Sequence, residues 1–384
     1  MRHVVLAAFI AIVSTAWAQH HHEFNTTYPD VHDPVMAQGE DGRYYIFSTG
    51  MGIGVMSSAD LKEWRQEPGV FFAKYPGHEV NTDAAHHPDI PQWATDSVAR
   101  FRGHMWAPDI TRINNRWYCF YSCSSFGVNG SAIGVATTRS LDPTSPDYGW
   151  QDLGPVVVSH RNVDNWNAID PNYIDGHLFW GSFWDGIQIG PTPALPEGEG
   201  VDEQWYGQFS LPIGEGRGGA STIARRMAPG EKAPVTSDDS DMKGEGGEKI
   251  VVEAGENAIE APFCIKRDGW YYLFVSWDYC CRGEKSTYKT VYGRSRSVTG
   301  PYLDKNGKDM RLGGGTLLVG PDSRFYGIGH NSAYEVNMPN GTREWLFISH
   351  AYDTEADGRA KLFLRRMSFD NDGWISLAPL EVKE

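Results

Sequence analysis

The chain has 384 residues, 40% hydrophobic and 13% aromatic, with 43 Gly and 22 Pro; it is long enough to bury a large core and too turn-rich for a helical protein. A formal net charge of −15 argues against nucleic acid or an anionic membrane as partner. Five cysteines are too few for a disulfide scaffold, so the core must carry stability.

The first residues, MRHVVLAAFIAIVSTAWA, read as a secretory signal peptide over 1–18. Arg2 and His3 supply the basic start, Val4 to Val13 the apolar run, and Ala16-Trp17-Ala18 the cleavage site. The run is shorter than the ~18 apolar residues of a membrane span, and no later segment reaches that length. A soluble, secreted, extracellular chain beginning near Gln19 is expected, with 33 basic against 49 acidic residues once Arg2 is gone, a net charge of −16. His20, His21 and His22 fall in its exposed terminus.

From there one phrase recurs five times: DGRYYIFS (41–48), NRWYCFYS (115–122), DGHLFWGS (175–182), DGWYYLFVS (268–276) and NGTREWLFIS (340–349). Each is a turn signal followed by an aromatic strand, and the strand-ending Ser residues lie 74, 60, 94 and 73 positions apart. A second strand phrase follows most copies, as in GIGVMSSADLKEW and SAIGVATTRSLDP. Each unit therefore holds about the content of a four-stranded sheet. Repeats of this length in an all-β chain predict a five-bladed β-propeller, with a double β-sandwich as the fallback. The third unit is lengthened by an insertion over about 190–257, rich in Gly, Glu, Pro, Ser and Asp, which reads as a surface excursion between blades.

The cysteines are Cys119, Cys123, Cys264, Cys280 and Cys281, an odd set without zinc-finger spacing. Cys280-Cys281 can close a vicinal disulfide, and free or differently paired thiols stay open as alternatives. Sequons stand at Asn25, Asn129 and Asn340.

Just upstream of each turn lies a polar group in an apolar setting. Asp33 stands in HDP, Asp109 in MWAPD, Asp170 in NAIDP, Glu260 in IEAP and His330 in GHNS. The innermost strand of each propeller blade lines the central channel. Matched positions therefore converge at one end of that channel, which would bring Asp33, Asp170 and Glu260 together with His330. Converging carboxylates repel one another and resist desolvation, so they mark sites where pKa differences are used. An Asp before Pro is also a common turn former, but three acids in phase with one repeat are not explained that way. Trp106, Phe126, Phe183 and Trp184 fall near the same strand ends, and flat aromatic faces suit sugar rings. Acids, aromatics and amides without a nucleophilic Ser or Cys point towards glycosidic bonds.

The stretches VHDP, MWAPDI, YSCSSFGVNGSAIGVAT, NAIDPNYI, GSFWDGIQ, IEAPFCIKRDGWYYLFVSWDYCCRG and GHNS resemble glycoside hydrolase family 43, and within it the endo-1,5-α-L-arabinanases. The likeness covers most of residues 31 to 335 apart from the insertion. It implies hydrolysis of α-1,5-L-arabinofuranosidic bonds by single displacement with inversion, on arabinan or arabino-oligosaccharides; a monomer is expected. Asp33 would be the general base, Glu260 the general acid, and Asp170 the residue that orients Glu260 and raises its pKa. Trp106, Phe126, Gly127, Asn167, Ile169, Ser182, Phe183 and Trp184 match the substrate-lining stretches. His330 matches a histidine beside an axial calcium ion, structural or electrostatic in role. The long insertion departs from a minimal arabinanase; if it closed one end of a groove, chain-internal cutting would become end-trimming. The chain also stops soon after the fifth repeat, unlike the xylosidase-like members with an added β-sandwich. The alternatives are an exo-acting α-L-arabinofuranosidase and a non-catalytic glycan-binding propeller, which would have no use for a proton donor.

Overall fold

The computed structural model describes residues 25–71, 89–192, 220–231 and 257–380. The signal peptide, His20 to His22 and most of the insertion lie outside the described residues. The rest is a five-bladed β-propeller of antiparallel four-stranded units. The inner strands, in order of the blades, are Val35–Gln38, His104–Ile113, Asn172–Ile174, Ile259–Arg267 and Phe325–Asn337. The second strands are Tyr44–Ser48, Arg116–Cys123, His177–Trp180, Trp270–Trp277 and Arg343–Asp353, the five copies of the repeated phrase. Each inner strand neighbours the next, and the fifth neighbours the first, which closes the ring. The fourth and fifth blades are further joined by a parallel bridge from Lys289 to Ile328. Among the described residues no helix is long and apolar enough to cross a membrane.

The turn signals work as their chemistry requires. Asn114-Asn115, Asp175-Gly176 and Asp268-Gly269 all have positive φ at both residues, the hairpin geometry that matches strand twist. The second strands then bury both faces, because each blade is sandwiched between two others. Tyr44 and Ile46 pack with Leu346 and Ile348 of the fifth blade, while Tyr45 and Phe47 face Cys119 and Tyr121 of the second. Tyr118 and Phe120 meet Leu178 and Trp180 of the third, whose Phe179 turns to Leu273 and Val275 of the fourth. Period-2 alternation thus serves two interfaces at once, which is why these strands read as unbroken aromatic runs. Burial of each of Phe47, Phe120 and Phe274 contributes about 1.5–3 kcal/mol.

Two sequence expectations are refined here. Ser221–Ala224, inside the stretch read as one excursion, pairs with Ile187–Pro191 and forms the outer strand of the third blade. Asn129 is buried, and its amide donates to the carbonyls of Asp164 and Trp166, which closes that sequon to a glycan.

Candidate active site

The inner strands share a local break. Asp33, Ala107, Asp170, Ala261 and His330 all adopt left-handed φ, between 46° and 58°, and three of the five inner strands carry a register shift there. Non-glycine residues in that region cost about 1–3 kcal/mol each and persist where the surroundings impose them, commonly at functional sites. A bulge also turns a backbone N–H out of its own ladder, and that group needs a partner.

The preceding blade supplies one in every case. Ala107 N donates to Thr49 Oγ1 at 2.9 Å, Asp170 N to Ser122 Oγ at 2.9 Å, and His330 N to Ser276 Oγ at 2.8 Å. Asp33 N donates to His350 Nδ1 at 3.2 Å and Ala261 N to Asp170 Oδ2 at 3.0 Å. In three of the five blades a hydroxyl at the end of the aromatic strand, that of Thr49, Ser122 or Ser276, therefore holds the left-handed residue of the next blade. In the third blade Asp170 does this instead, which frees Ser182 to donate to Glu260 Oε2 at 2.7 Å.

This phase corrects the sequence alignment in two places. The second blade presents Ala107, and Asp109 lies two residues further on. Asp109 is buried between blades, accepting from Asn172 Nδ2 at 3.2 Å and Tyr173 N at 2.8 Å, and burial pushes it up to about 7. It lines a cavity of 180 Å³ with Phe263, Tyr334 and Trp345 that includes none of Asp33, Asp170, Glu260 and His330. Glu260 stands one residue before the bulge of the fourth blade, out of phase with Asp33 and Asp170. It projects differently, and Tyr288 OH donates to its Oε1 at 2.8 Å.

Asp33 has the most elaborate surroundings. Its Oδ1 faces His32 Nδ1 at 2.8 Å, His330 Nδ1 at 3.0 Å and His350 Nδ1 at 3.5 Å. Its Oδ2 accepts from Thr49 Oγ1 at 2.5 Å. Burial would raise this carboxyl, but His32 and His330 hold it well below the usual carboxylate range. Burial raises both Glu260 and Asp170 instead, although His330 pulls each down, and the nearby carboxylates add to the rise. Burial would lower His330, yet Asp33, Asp170 and Glu260 bring it up to about 9. One imidazolium thus sits among three carboxyl groups whose affinities for a proton are driven in opposite directions.

The remaining expected residues fall into two groups. Ile169 and Ser182 are buried against the acids, with Ile169 O accepting from Gly181 N at 2.8 Å. Asn167 is buried with its Oδ1 unpartnered. Phe183 and Trp184 hold left-handed φ beside the fourth blade, where Phe183 N donates to Ile259 O at 2.8 Å. Trp106 precedes the second bulge, its Nε1 donating to His104 Nδ1 at 2.9 Å. Phe126 stands 39% exposed on the loop between Cys123 and Ser131, with Gly127 beside it at φ 81°, and no hydrogen bond or ring contact among the described residues ties either to the acids.

Sequence reading missed His350 and Tyr288, and quoted His32 without giving it a role. His350 is fully buried and pushed well below its ordinary range by burial and by His32. It stacks between His32, 4.0 Å away, and Tyr288, 6.0 Å away. That column runs from the partner of Asp33 to the partner of Glu260. The only local signal was a His directly after the fifth strand-ending Ser.

Calcium prefers six to eight oxygen ligands. His330 offers an imidazole whose Nδ1 already faces Asp33, and the groups of three metal-ligating side chains among the described residues centre on His32 instead. These residues do not form a calcium cage.

The model of the glycosyl hydrolases family 43 matches residues 27–193 and 227–375. The extracellular exo-α-(1→5)-L-arabinofuranosidase ArbA of Cellvibrio japonicus is 38% identical over 90% of this chain and 85% of its own length. The extracellular endo-α-(1→5)-L-arabinanase 1 of Bacillus subtilis is 32% identical over 90% of this chain and 87% of its own. The crystal structure of an exo-1,5-α-L-arabinanase from a bovine ruminal metagenomic library superimposes with a TM-score of 0.72 at 45% identity, over 92% of this chain and 98% of that one. The propeller, its acids and these likenesses converge: the chain belongs to the glycosyl hydrolases family 43.

Proposed function

We propose that this protein is a secreted arabinan hydrolase that cleaves α-1,5-L-arabinofuranosidic bonds by single displacement with inversion. The observation that carries the mechanism is one buried cluster in which His32 and His330 face Asp33 while Ser182 and Tyr288 hold Glu260, with the two carboxyls' pKa values driven in opposite directions. Asp33, held ionised, takes a proton from the water that attacks the anomeric carbon. Glu260, whose pKa burial raises, gives its proton to the leaving oxygen as the glycosidic bond breaks. Ser182 and Tyr288 each donate to one Glu260 oxygen and so fix its orientation. Asp170 lies beside Glu260, each carboxyl resisting the ionisation of the other, and anchors the backbone of the next residue, Ala261. Trp106, Phe126, Gly127, Asn167, Ile169, Phe183 and Trp184 form the sugar-binding surround. The signal-like segment 1–18 and the extracellular names of two relatives support secretion. A calcium ion at His330 belongs to this reading only with a shell filled by water, and no step passes through it.

A second reading keeps the chemistry and moves the cut to chain ends. The higher identities, 45% and 38%, are with proteins named as exo-acting, against 32% for the endo-named relative. Product sizing over time on linear 1,5-α-arabinan decides between them. Mixed oligosaccharides at the outset mean internal cleavage, whereas one short product from the start means end-trimming. No product of either kind overturns the substrate assignment.

The Asp170→Asn variant tests the tuning of the acid. A raised Glu260 keeps its proton until the pH climbs through its pKa, so it sets the alkaline limb of activity. As the pH climbs the two neighbouring carboxyls resist ionising together, so a neutral amide at 170 lets Glu260 ionise earlier, and the alkaline limb is expected to move to lower pH while the rate falls. An unshifted limb at full activity would remove Asp170 from the mechanism.

A further inference from the structure

Cys280 and Cys281 are joined in a vicinal disulfide, and Cys119, Cys123 and Cys264 are buried free thiols. The disulfide lies in the loop between Trp270–Trp277 and Lys289–Ser295 of the fourth blade. Cys281 is exposed, and its backbone has a left-handed φ of 66°. Its N–H donates to Tyr352 OH, in the fifth blade, at 2.8 Å. The same phenol oxygen lies 2.8 Å from His32 Nε2, and His32 Nδ1 lies 2.8 Å from Asp33 Oδ1. Both nitrogens of the His32 ring are thereby engaged, and the ring is pinned from both ends. Its face is held as well, by the stack on His350.

We infer that Cys281, Tyr352 and His32 form a positioning relay for Asp33, anchored by the Cys280–Cys281 disulfide, so that the oxidised loop sets the aim of the general base. This inference rests on the assignment of Asp33 above. The physical argument is one of restraint. Asp33 stands at a left-handed position just before the first inner strand, and a carboxylate that must deprotonate one water in one direction loses rate when it can rotate. The disulfide fuses two successive residues into one small ring and so fixes the direction of the Cys281 N–H. A backbone N–H can only donate, which makes it a fixed reference for the Tyr352 oxygen. The relay spans three blades: the fourth carries the disulfide, the fifth carries Tyr352, and the first receives His32. It therefore exists only in the closed ring. The same loop leads into Tyr288, which holds Glu260, so base and acid take their alignment from one segment.

The relay makes a prediction that a merely structural contact does not. All five cysteines of the chain are accounted for, so a reductant has one disulfide to act on. Dithiothreitol would break that S–S bond, each sulfur taking a proton, while the reagent closes to its own disulfide. Initial rates on 1,5-α-arabino-oligosaccharides are measured for the unmodified protein, Tyr352→Phe and Cys280→Ser/Cys281→Ser, each with and without dithiothreitol. Misplacing a catalytic group by ~1 Å can cost about 100-fold, and loss of one link here is expected to lower kcat about 10-fold with KM within about twofold. The unmodified protein should show that loss on reduction and recover on reoxidation. The double Ser variant should show it constitutively, and Tyr352→Phe should be as slow and indifferent to reductant. Full activity of Tyr352→Phe, or a further loss when it is reduced, would overturn the relay. The Asp33→Asn variant in the same assay separates the two claims: if it is inactive while Tyr352→Phe is normal, the base stands and the relay falls. A fully active Asp33→Asn would sink the base assignment itself.

Discussion

Glu260→Gln is expected to lower hydrolysis of arabinan by about 10²–10⁴-fold, the range that a positioned proton donor contributes. The substitution keeps the shape and removes the transferable proton. Ser182 and Tyr288 both donate to the native carboxyl, whereas the amide has one accepting oxygen, so one of the two hydroxyls must turn away. That costs about 0.5–1.5 kcal/mol of stability, a small part of what this core supplies. Circular dichroism and the thermal midpoint should therefore be close to those of the parent. A substrate whose leaving group needs no protonation gives the sharper readout. On an arabino-oligosaccharide carrying a dinitrophenyl leaving group, the variant should regain much of the lost rate, because the proton it cannot supply is not needed. Near-normal turnover on arabinan itself, or an equal loss on both substrates, would show that Glu260 is not the acid.

Asp33→Asn has a comparable expected loss for the opposite reason. The carboxylate is held ionised by His32 and His330 against its own burial, which keeps a base available where ordinary buried carboxyls would be protonated. An amide cannot accept the proton of the attacking water. It also withdraws the negative charge that raises His330 to about 9, so the affinity of that imidazole for its proton should fall. Azide needs no deprotonation to attack the anomeric carbon, and it should restore turnover in this variant by forming the inverted glycosyl azide. Failure of azide to rescue, with an intact fold, would leave Asp33 with a structural role only.

The two variants also separate the contributions of the blades. Asp33 comes from the left-handed position before the inner strand of the first blade and Glu260 from the residue before the bulge of the fourth. Their coupling runs through His330 of the fifth blade and Asp170 of the third. Closure of the ring through the contact of the fifth inner strand with the first is therefore a condition for catalysis as well as for stability.

Much of this was legible in the linear chain because it is encoded locally. Alternation in the second strands, Asp-Gly and Asn-Asn turns and the recurring terminal Ser depend on residues a few positions apart. Five copies of them determined the blade count and placed Asp33, Asp170, Glu260 and His330 near one another before any coordinates. The relation between blades was less accessible. The bulge phase runs Asp33, Ala107, Asp170, Ala261, His330, so aligning acid to acid misplaced Asp109 and concealed that Glu260 stands one residue early. Only the hydrogen bonds from each bulge to the preceding blade reveal that phase, and those partners lie 48 to 317 positions away in sequence.

The sequence by itself thus determined the all-β repeat, since strand period and turn chemistry are short-range properties, and its quoted motifs carried the family likeness and with it the candidate acids. Tertiary structure alone decided in which direction the pKa of each carboxyl is driven. The spatial company of His32 and His330 drives Asp33 down against its own desolvation, and burial drives Glu260 up. It also decided that Cys280 pairs with Cys281 and that Ser182 turns to the acid rather than to a backbone bulge. Those outcomes depend on distances between blades, which no local pattern carries.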